Sequence, residues 1–363
     1  MLIILFVLIL AGCEQESAHK ISTDNQIISF SNFDQVDRIT LQERGIEIIA
    51  YPAELVATKD YLALIDINAG SNPWVQVFDK KTLEPVGKIV PQGKGPGEAL
   101  NPGRLLPIGS TNSFWVFDGL MQRFQQFDVE AALLAMQMGE TYKPEYEFLL
   151  EGDLRGSIDP KIISDSLFVT TTYSHDDCRF FYFNSEAKIL EKVGKLPPSL
   201  SSWPEQGSSA YFPIAAAYYR ARIATHPTEN WVAVGYSYTD EMEIYKDGQL
   251  VRRVLGPENI EIDQKITEET KGIYWVRNTD ETVTTYVKLY GAQDFILAEY
   301  VGKDEDDVSG IHIFDWEGRP IKKIQFNPTI QVFCIEKKDD GAYQVYVIDI
   351  EESKLRRVEL NIP

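Results

Sequence analysis

The residues best equipped for chemistry are few and scattered. The four histidines, His19, His175, His226 and His312, stand isolated, none at metal-ligand spacing from another histidine or a cysteine. No Gly-x-Ser-x-Gly elbow occurs. A zinc hydrolase and a serine hydrolase of the usual kind are therefore disfavoured. The run Gly93-Lys94-Gly95-Pro96-Gly97-Glu98 invites a phosphate-loop reading, because closely spaced glycines let backbone N–H groups approach an anion. A Walker loop needs Ser or Thr after its lysine and a strand-to-helix context. Here Gly95-Pro96 follow Lys94 between strand-like runs, so an inter-blade turn is expected. Asp66 and Asp118 end comparable strand-like runs and are weak candidates for a metal, with turn-forming or edge-capping roles weighed against it. The acidic runs 175–177 and 303–307 read as solvated loop tips.

A longer irregular stretch, residues 196–222, gathers Trp203, Tyr211, Phe212, Tyr218 and Tyr219 with Arg220 and Arg222. Aromatic rings beside guanidinium groups suit carbohydrate, peptide or anionic ligands through stacking and forked hydrogen bonds. The plainer expectation is that the insertion folds over its own blade and buries its own rings. If the loops on its side of the fold converge, Trp74, His175 and Tyr238 join Trp203, Tyr211, Tyr219, Arg220 and Arg222 around one end of the molecule.

The elements that would position these residues are strands. With 363 residues, 44% of them hydrophobic, the chain can bury a large core, and 55 acids against 35 Lys and Arg give a net charge of −20. That balance excludes a phosphate-tracking nucleic-acid binder. After residue 50, short β-branched and aromatic runs alternate with Gly, Pro, Asn and Asp, and apolar spacing of helical period is almost absent. One run recurs: YLALID at 61, FWVFD at 114, LFVTT at 167, WVAVG at 231, FILAE at 295 and QVYVID at 344. Each is followed by a second run closing in an aromatic and an acid or amide, as in WVQVFD from 74, and often by a third, outer one.

A period of this length is that of propeller blades. The fold expected is all-β, one six-bladed β-propeller over residues 27–363. The sixth blade lacks an outer run, so the ring should be closed by an N-terminal strand, from 27–30 or 39–42, which would also remove an exposed sheet edge. This count puts Cys178 in blade three and Cys334 in blade six, too far apart for a disulfide.

Residues 1–12, MLIILFVLILAG, have the length of a signal-peptide apolar region and fall short of a membrane span. Leu10-Ala11-Gly12-Cys13 resembles the lipobox of bacterial lipoproteins, which implies lipidation of Cys13; no Lys or Arg precedes the apolar run, a departure from the usual pattern. Residues 13–26 then read as a lipidated tether. Glu14 after the cysteine implies, by the same resemblance, an envelope location at the outer membrane.

The repeat, together with GKGPGE and the following Asn101-Pro102, resembles the six-bladed TolB-like or NHL-like propeller lipoproteins of Gram-negative bacteria. The resemblance covers about residues 45–360 and speaks to fold more than function. The function expected is a non-catalytic, lipid-anchored propeller binding a protein, peptide or glycan on its loop-rich face, with no cofactor. A calcium-assisted hydrolase or lactonase, as some six-bladed enzymes are, and an envelope assembly factor are the alternatives.

Overall fold

The computed structural model describes residues 26–42, 45–48, 51–68, 72–172, 178–196, 204, 210–303 and 310–362. The proposed signal segment, Cys13 and nearly all of the tether lie outside them. Six antiparallel sheets follow one another in chain order around an axis, each starting with its innermost strand. The innermost strands are Pro52–Ala57, Pro102–Pro107, Lys161–Ser164, Ala221–Thr225, Tyr286–Gly291 and Ile330–Lys337. The recurring runs are the second strands, among them Tyr61–Asp66, Ser113–Asp118, Phe295–Tyr300 and Tyr343–Asp349.

This placement explains which strands were visible in sequence. Second strands lie between neighbouring blades, so both faces are covered and they read as continuous apolar runs; every residue of Phe295–Tyr300 and Tyr343–Asp349 is buried. Innermost strands present one edge to the axial channel, and PGRLLP or KIIS carry too few apolar residues to stand out. Blade interfaces are filled largely by rings. Between blades two and three, Phe124 stacks on Phe148 at 4.8 Å and Phe168 on Phe183 at 5.3 Å.

The ring is closed by an N-terminal strand, but not from either segment expected. Ile46–Glu47 pairs antiparallel with Lys354–Leu355 as the fourth strand of blade six. Ile27–Ser29 instead lies parallel to Arg253–Leu255 as a fifth strand on blade four, and Val36–Thr40 parallel to Lys323–Asn327 on blade five. The reason is reach: the chain must leave the closing strand and enter blade one at Pro52, and only the residues just upstream can do so. Residues 26–42 and 45–48 thus form a belt over the outer edges of three blades. Phe30, Phe33, Leu41 and Ile48 are buried under it, and the buried Lys322 ammonium meets Asp37 at 2.8 Å. His312 lies beneath this belt, stacked on Tyr300 at 4.3 Å and 4.6 Å from the Phe33 ring, and burial holds its imidazole well below the usual pKa.

Cys178 and Cys334 are both buried and lie in blades three and six, as the repeat count requires. A helix that the period analysis overlooked, Val129–Gln137, follows the third strand of blade two. Asp128 caps it, its carboxylate accepting the Ala131 N–H at 2.9 Å. Val129 and Ala132 are buried, and Leu133 lies over Gly87 of blade one's outer strand, where a Cβ would meet it. So short an apolar run, VEAALLAMQ, shows little helical period by itself.

Candidate functional site

Loops joining outer to innermost strands and loops joining second to third strands emerge on the same face of the ring. Two long connections dominate that face. The first, between Ile189–Val193 and Ala221–Thr225, carries the helix Tyr211–Tyr218. The second, between Gln249–Leu255 and Tyr286–Gly291, carries a hairpin, Gln264–Thr270 with Ile273–Asn278, which the sequence reading had not singled out. Tyr211, Ile214, Ala215 and Tyr218 pack with Leu196, Ile262, Ile266, Tyr274 and Val276, so helix and hairpin share a small core of their own. Neither could bury its apolar side alone; together they cap blade four.

Beneath the end of the helix lies a pocket of about 580 Å³, walled by Tyr218, Tyr219, Tyr236, Asp240, Glu241 and Arg253 among others. Its walls are fixed by hydrogen bonds. The Asp240 carboxylate accepts the N–H groups of Glu258 at 2.8 Å and Ile260 at 3.0 Å. Thr239 Oγ1 donates to the Ile260 carbonyl at 2.7 Å, and Thr285 Oγ1 to the Tyr236 carbonyl at 2.8 Å. Arg253 pairs with Glu241 and lies 3.9 Å from Glu243.

Tyr236 connects the pocket to a buried network. Glu243 Oε2 accepts from Tyr236 at 2.8 Å, from Tyr245 at 2.9 Å and from Arg179 Nε of blade three at 3.1 Å. The Arg179 guanidinium sits 4.7 Å from the centre of the Tyr236 ring, and its Nη1 has no acceptor among the described residues. Burial first, then Glu243, push the Tyr236 hydroxyl well above its usual pKa; Tyr219 is raised by burial and by Tyr218. Both phenols stay protonated at neutral pH. The pocket therefore offers aromatic faces, neutral hydroxyls, the Asp240 carboxylate held by backbone donors and the Glu241 carboxylate held by Arg253, an arrangement for recognition by stacking and directed hydrogen bonds.

Of the residues singled out in sequence, Tyr219 lines this pocket. Tyr211 belongs to the cap's core. Tyr238 sits half-buried in the turn between two wall residues, Tyr236 and Thr239. Arg220 is half-buried beside it, its carbonyl accepting the Ser237 N–H at 2.8 Å and its Nε without an acceptor among the described residues. Arg222 turns away, acting on Asp159 and Glu299 near the axis. Trp74 is in blade one, across the ring, with its indole N–H on the Ala99 carbonyl at 2.9 Å. His175 and Trp203 lie outside the described residues. The pocket is thus at the outer part of blade four, not at the axis. On this side, charged groups bridge blades near the axis: Lys288 donates to the Ala53 carbonyl at 3.0 Å, and Arg104 to Asp159 at 2.7 Å. Tyr236, Asp240, Glu241 and Arg253 escaped the sequence reading because they belong to strands and turns. The 64-residue spacing from the run at 231 to the one at 295, longer than the 53 of earlier blades, was the available signal for the second connection.

The remaining sequence candidates have structural occupations. Asp66 accepts the N–H groups of Tyr51 and Asn68 and the Gln76 amide, and Asp118 those of Leu100, Leu120 and Met121. Each carboxylate ties the connection entering its blade to the turn leaving its strand. Among the described residues no three His, Cys, Asp or Glu side chains form a metal-binding group. In GKGPGE the Gly97 N–H donates to Gln125 at 2.6 Å, while Arg123 donates to the carbonyls of Lys94 at 3.0 Å and Glu98 at 2.6 Å. Gly97 has φ +75°, and a Cβ there would collide with the Tyr142 carbonyl. The loop is a locked turn, as expected, with its anion-facing donors already used.

Six blades of four or five strands, closed by a strand from the opposite end of the chain and capped on one face, define a six-bladed β-propeller. The chain belongs to the TolB-like 6-blade propeller-like family, whose model matches residues 29–338. No curated protein sequence matches it. Among solved structures it is similar to a Bacteroides fragilis protein whose assigned name is that of an exported protein, with TM-score 0.51 and 12% identity over 93% of this chain and 99% of that one. A DUF4221-family member from Bacteroides vulgatus gives TM-score 0.46 at 9% identity over 88% and 98% of the two chains. Virginiamycin B lyase from Staphylococcus aureus gives 0.43 at 11% over 85% and 95%. At these identities the likeness concerns the fold.

Proposed function

We propose that this protein is a non-catalytic propeller, held at the outer membrane through a lipid on Cys13, that binds a glycan, peptide or protein segment in the blade-four pocket. The observation that supports it most is a pocket whose walls are pre-formed by hydrogen bonds while Tyr219 and Arg253 remain partly exposed in it. Pre-organisation of this kind lowers the cost of ordering on binding. No described helix is long and apolar enough to cross a membrane.

The pocket is tested with a glycan array and an envelope-lysate pull-down. Tyr219→Ala is expected to weaken capture of the ligand found by about tenfold, since loss of one stacked ring removes about 1.5 kcal/mol. Because Tyr219 also packs on the cap and on the cluster between blades three and four, capture is compared at a temperature where the variant is fully folded. Undiminished capture removes the pocket from the function. The anchor is tested by fatty-acid labelling in cells, where Cys13→Ala should abolish incorporation; equal labelling refutes it.

A further inference from the structure

A second cavity, on the opposite face, is independent of the pocket just described. It is a groove of about 540 Å³ between blades two and three, whose lining includes Trp115, Tyr146, Glu147, Phe148, Asp165 and Glu186. Three features give it a chemical character. Its charged lining is all carboxylate: Glu147, 3.7 Å from Arg123, with Asp165 and Glu186 on exposed turns. Tyr146 is 55% exposed and offers a ring face, whereas Trp115 is 4% exposed. The indole N–H of Trp115, unlike those of Trp74, Trp231 and Trp316, donates to no acceptor among the described residues. The groove also borders the strand Glu147–Leu149, the outer edge of blade two. The belt strands already add to the same edge of blades four and five.

We propose that this groove binds an extended basic peptide. A backbone carbonyl of the peptide accepts the Trp115 N–H, and a lysine or arginine side chain lies over Tyr146 among the three carboxylates. A cation there gains from the ring face and the acids together, and the main chain can pair along the free edge as the belt strands do. A neutral glycan could stack on Tyr146 but would leave Asp165 and Glu186 without a counter-charge, and an anionic ligand is repelled.

The test is fluorescence anisotropy with a fluorescein-labelled hexapeptide of alternating lysine and glycine, and the same peptide with acetylated lysines. The lysine form should bind and the acetylated form bind at least about tenfold more weakly. Asp165→Asn with Glu186→Gln, two exposed positions that leave packing intact, should weaken binding about tenfold, and Trp115→Phe about fivefold. Asp339→Asn with Glu351→Gln, two exposed acids in blade six, and Tyr219→Ala should leave it unchanged. Absence of binding at about 1 mM, equal loss in the blade-six pair, or equal affinity for the acetylated peptide overturns the proposal. If Trp115→Phe melts early, the carboxylate pair decides.

Discussion

Deleting residues 26–48 is expected to leave a chain without a cooperative thermal transition. The belt supplies the fourth strand of blade six, so its loss opens the ring and exposes the edge of Lys354–Leu360. It also uncovers the apolar surface beneath Phe30, Phe33, Leu41 and Ile48. A graded form of the experiment is Phe33→Ala. The Phe33 ring packs edge-on against Phe30 at 5.0 Å and Phe314 at 5.8 Å and covers His312, so truncation should cost about 3–5 kcal/mol in urea unfolding. A truncated chain that melts cooperatively at the parent temperature would show that the belt adds nothing to the ring's stability.

Asp159→Asn is expected to cost about 3 kcal/mol. One buried carboxylate accepts from Arg104 of blade two at 2.7 Å and from the Ile223 N–H of blade four at 2.9 Å, and meets Lys161 of its own blade at 3.3 Å. Its removal leaves two cations at the axis without their counter-charge. The low end of the range applies because Arg104 and Lys161 keep about a fifth of their side-chain surface exposed. The same group leaves a pH signature. Burial opposes ionisation of Asp159, but Lys161, Arg104 and Arg222 outweigh it and hold the carboxyl well below the usual carboxylate range. Because the folded pKa lies below the unfolded value of about 3.9, the unfolded chain takes up the proton first as pH falls. The stability Asp159 contributes is therefore complete above about pH 4 and is lost as pH descends towards the folded value. Urea midpoints measured from pH 5 to 2.5 should fall less steeply for Asp159→Asn than for the parent; parallel curves would deny the carboxylate this role.

The parts of the fold legible in sequence share one physical property: both faces of the residues concerned are covered. The second strands, such as Tyr343–Asp349, are wholly buried between blades, so their apolar content had to appear as a recurring run. Asp66, Asp118 and the GKGPGE turn were legible for a related reason. The two carboxylates accept mainly backbone N–H groups and the turn needs glycine at Gly97, so backbone geometry selects the residue type. The innermost strands were not legible, since one edge faces the channel and tolerates Arg104, Lys161 and Lys288. The closing strand was misplaced because Ile46–Glu47 is two residues long and pairs with a segment more than 300 residues away.

The sequence by itself determined the all-β class, six blades, closure by the N-terminal region and the separation of Cys178 from Cys334, all of which follow from a period repeated along the chain. Only the tertiary structure decided which aromatic residues are packing and which are surface. Tyr211 and Tyr219 stand eight residues apart in one insertion, yet one is buried in the cap's core and the other, packed on that core from one side, is also pocket wall. The hairpin at 264–278 makes that distinction by covering one side of the helix and leaving its end open. Ring, hydroxyl and guanidinium have the same chemistry in either place; burial by a distant segment sets whether it stabilises the fold or meets a ligand.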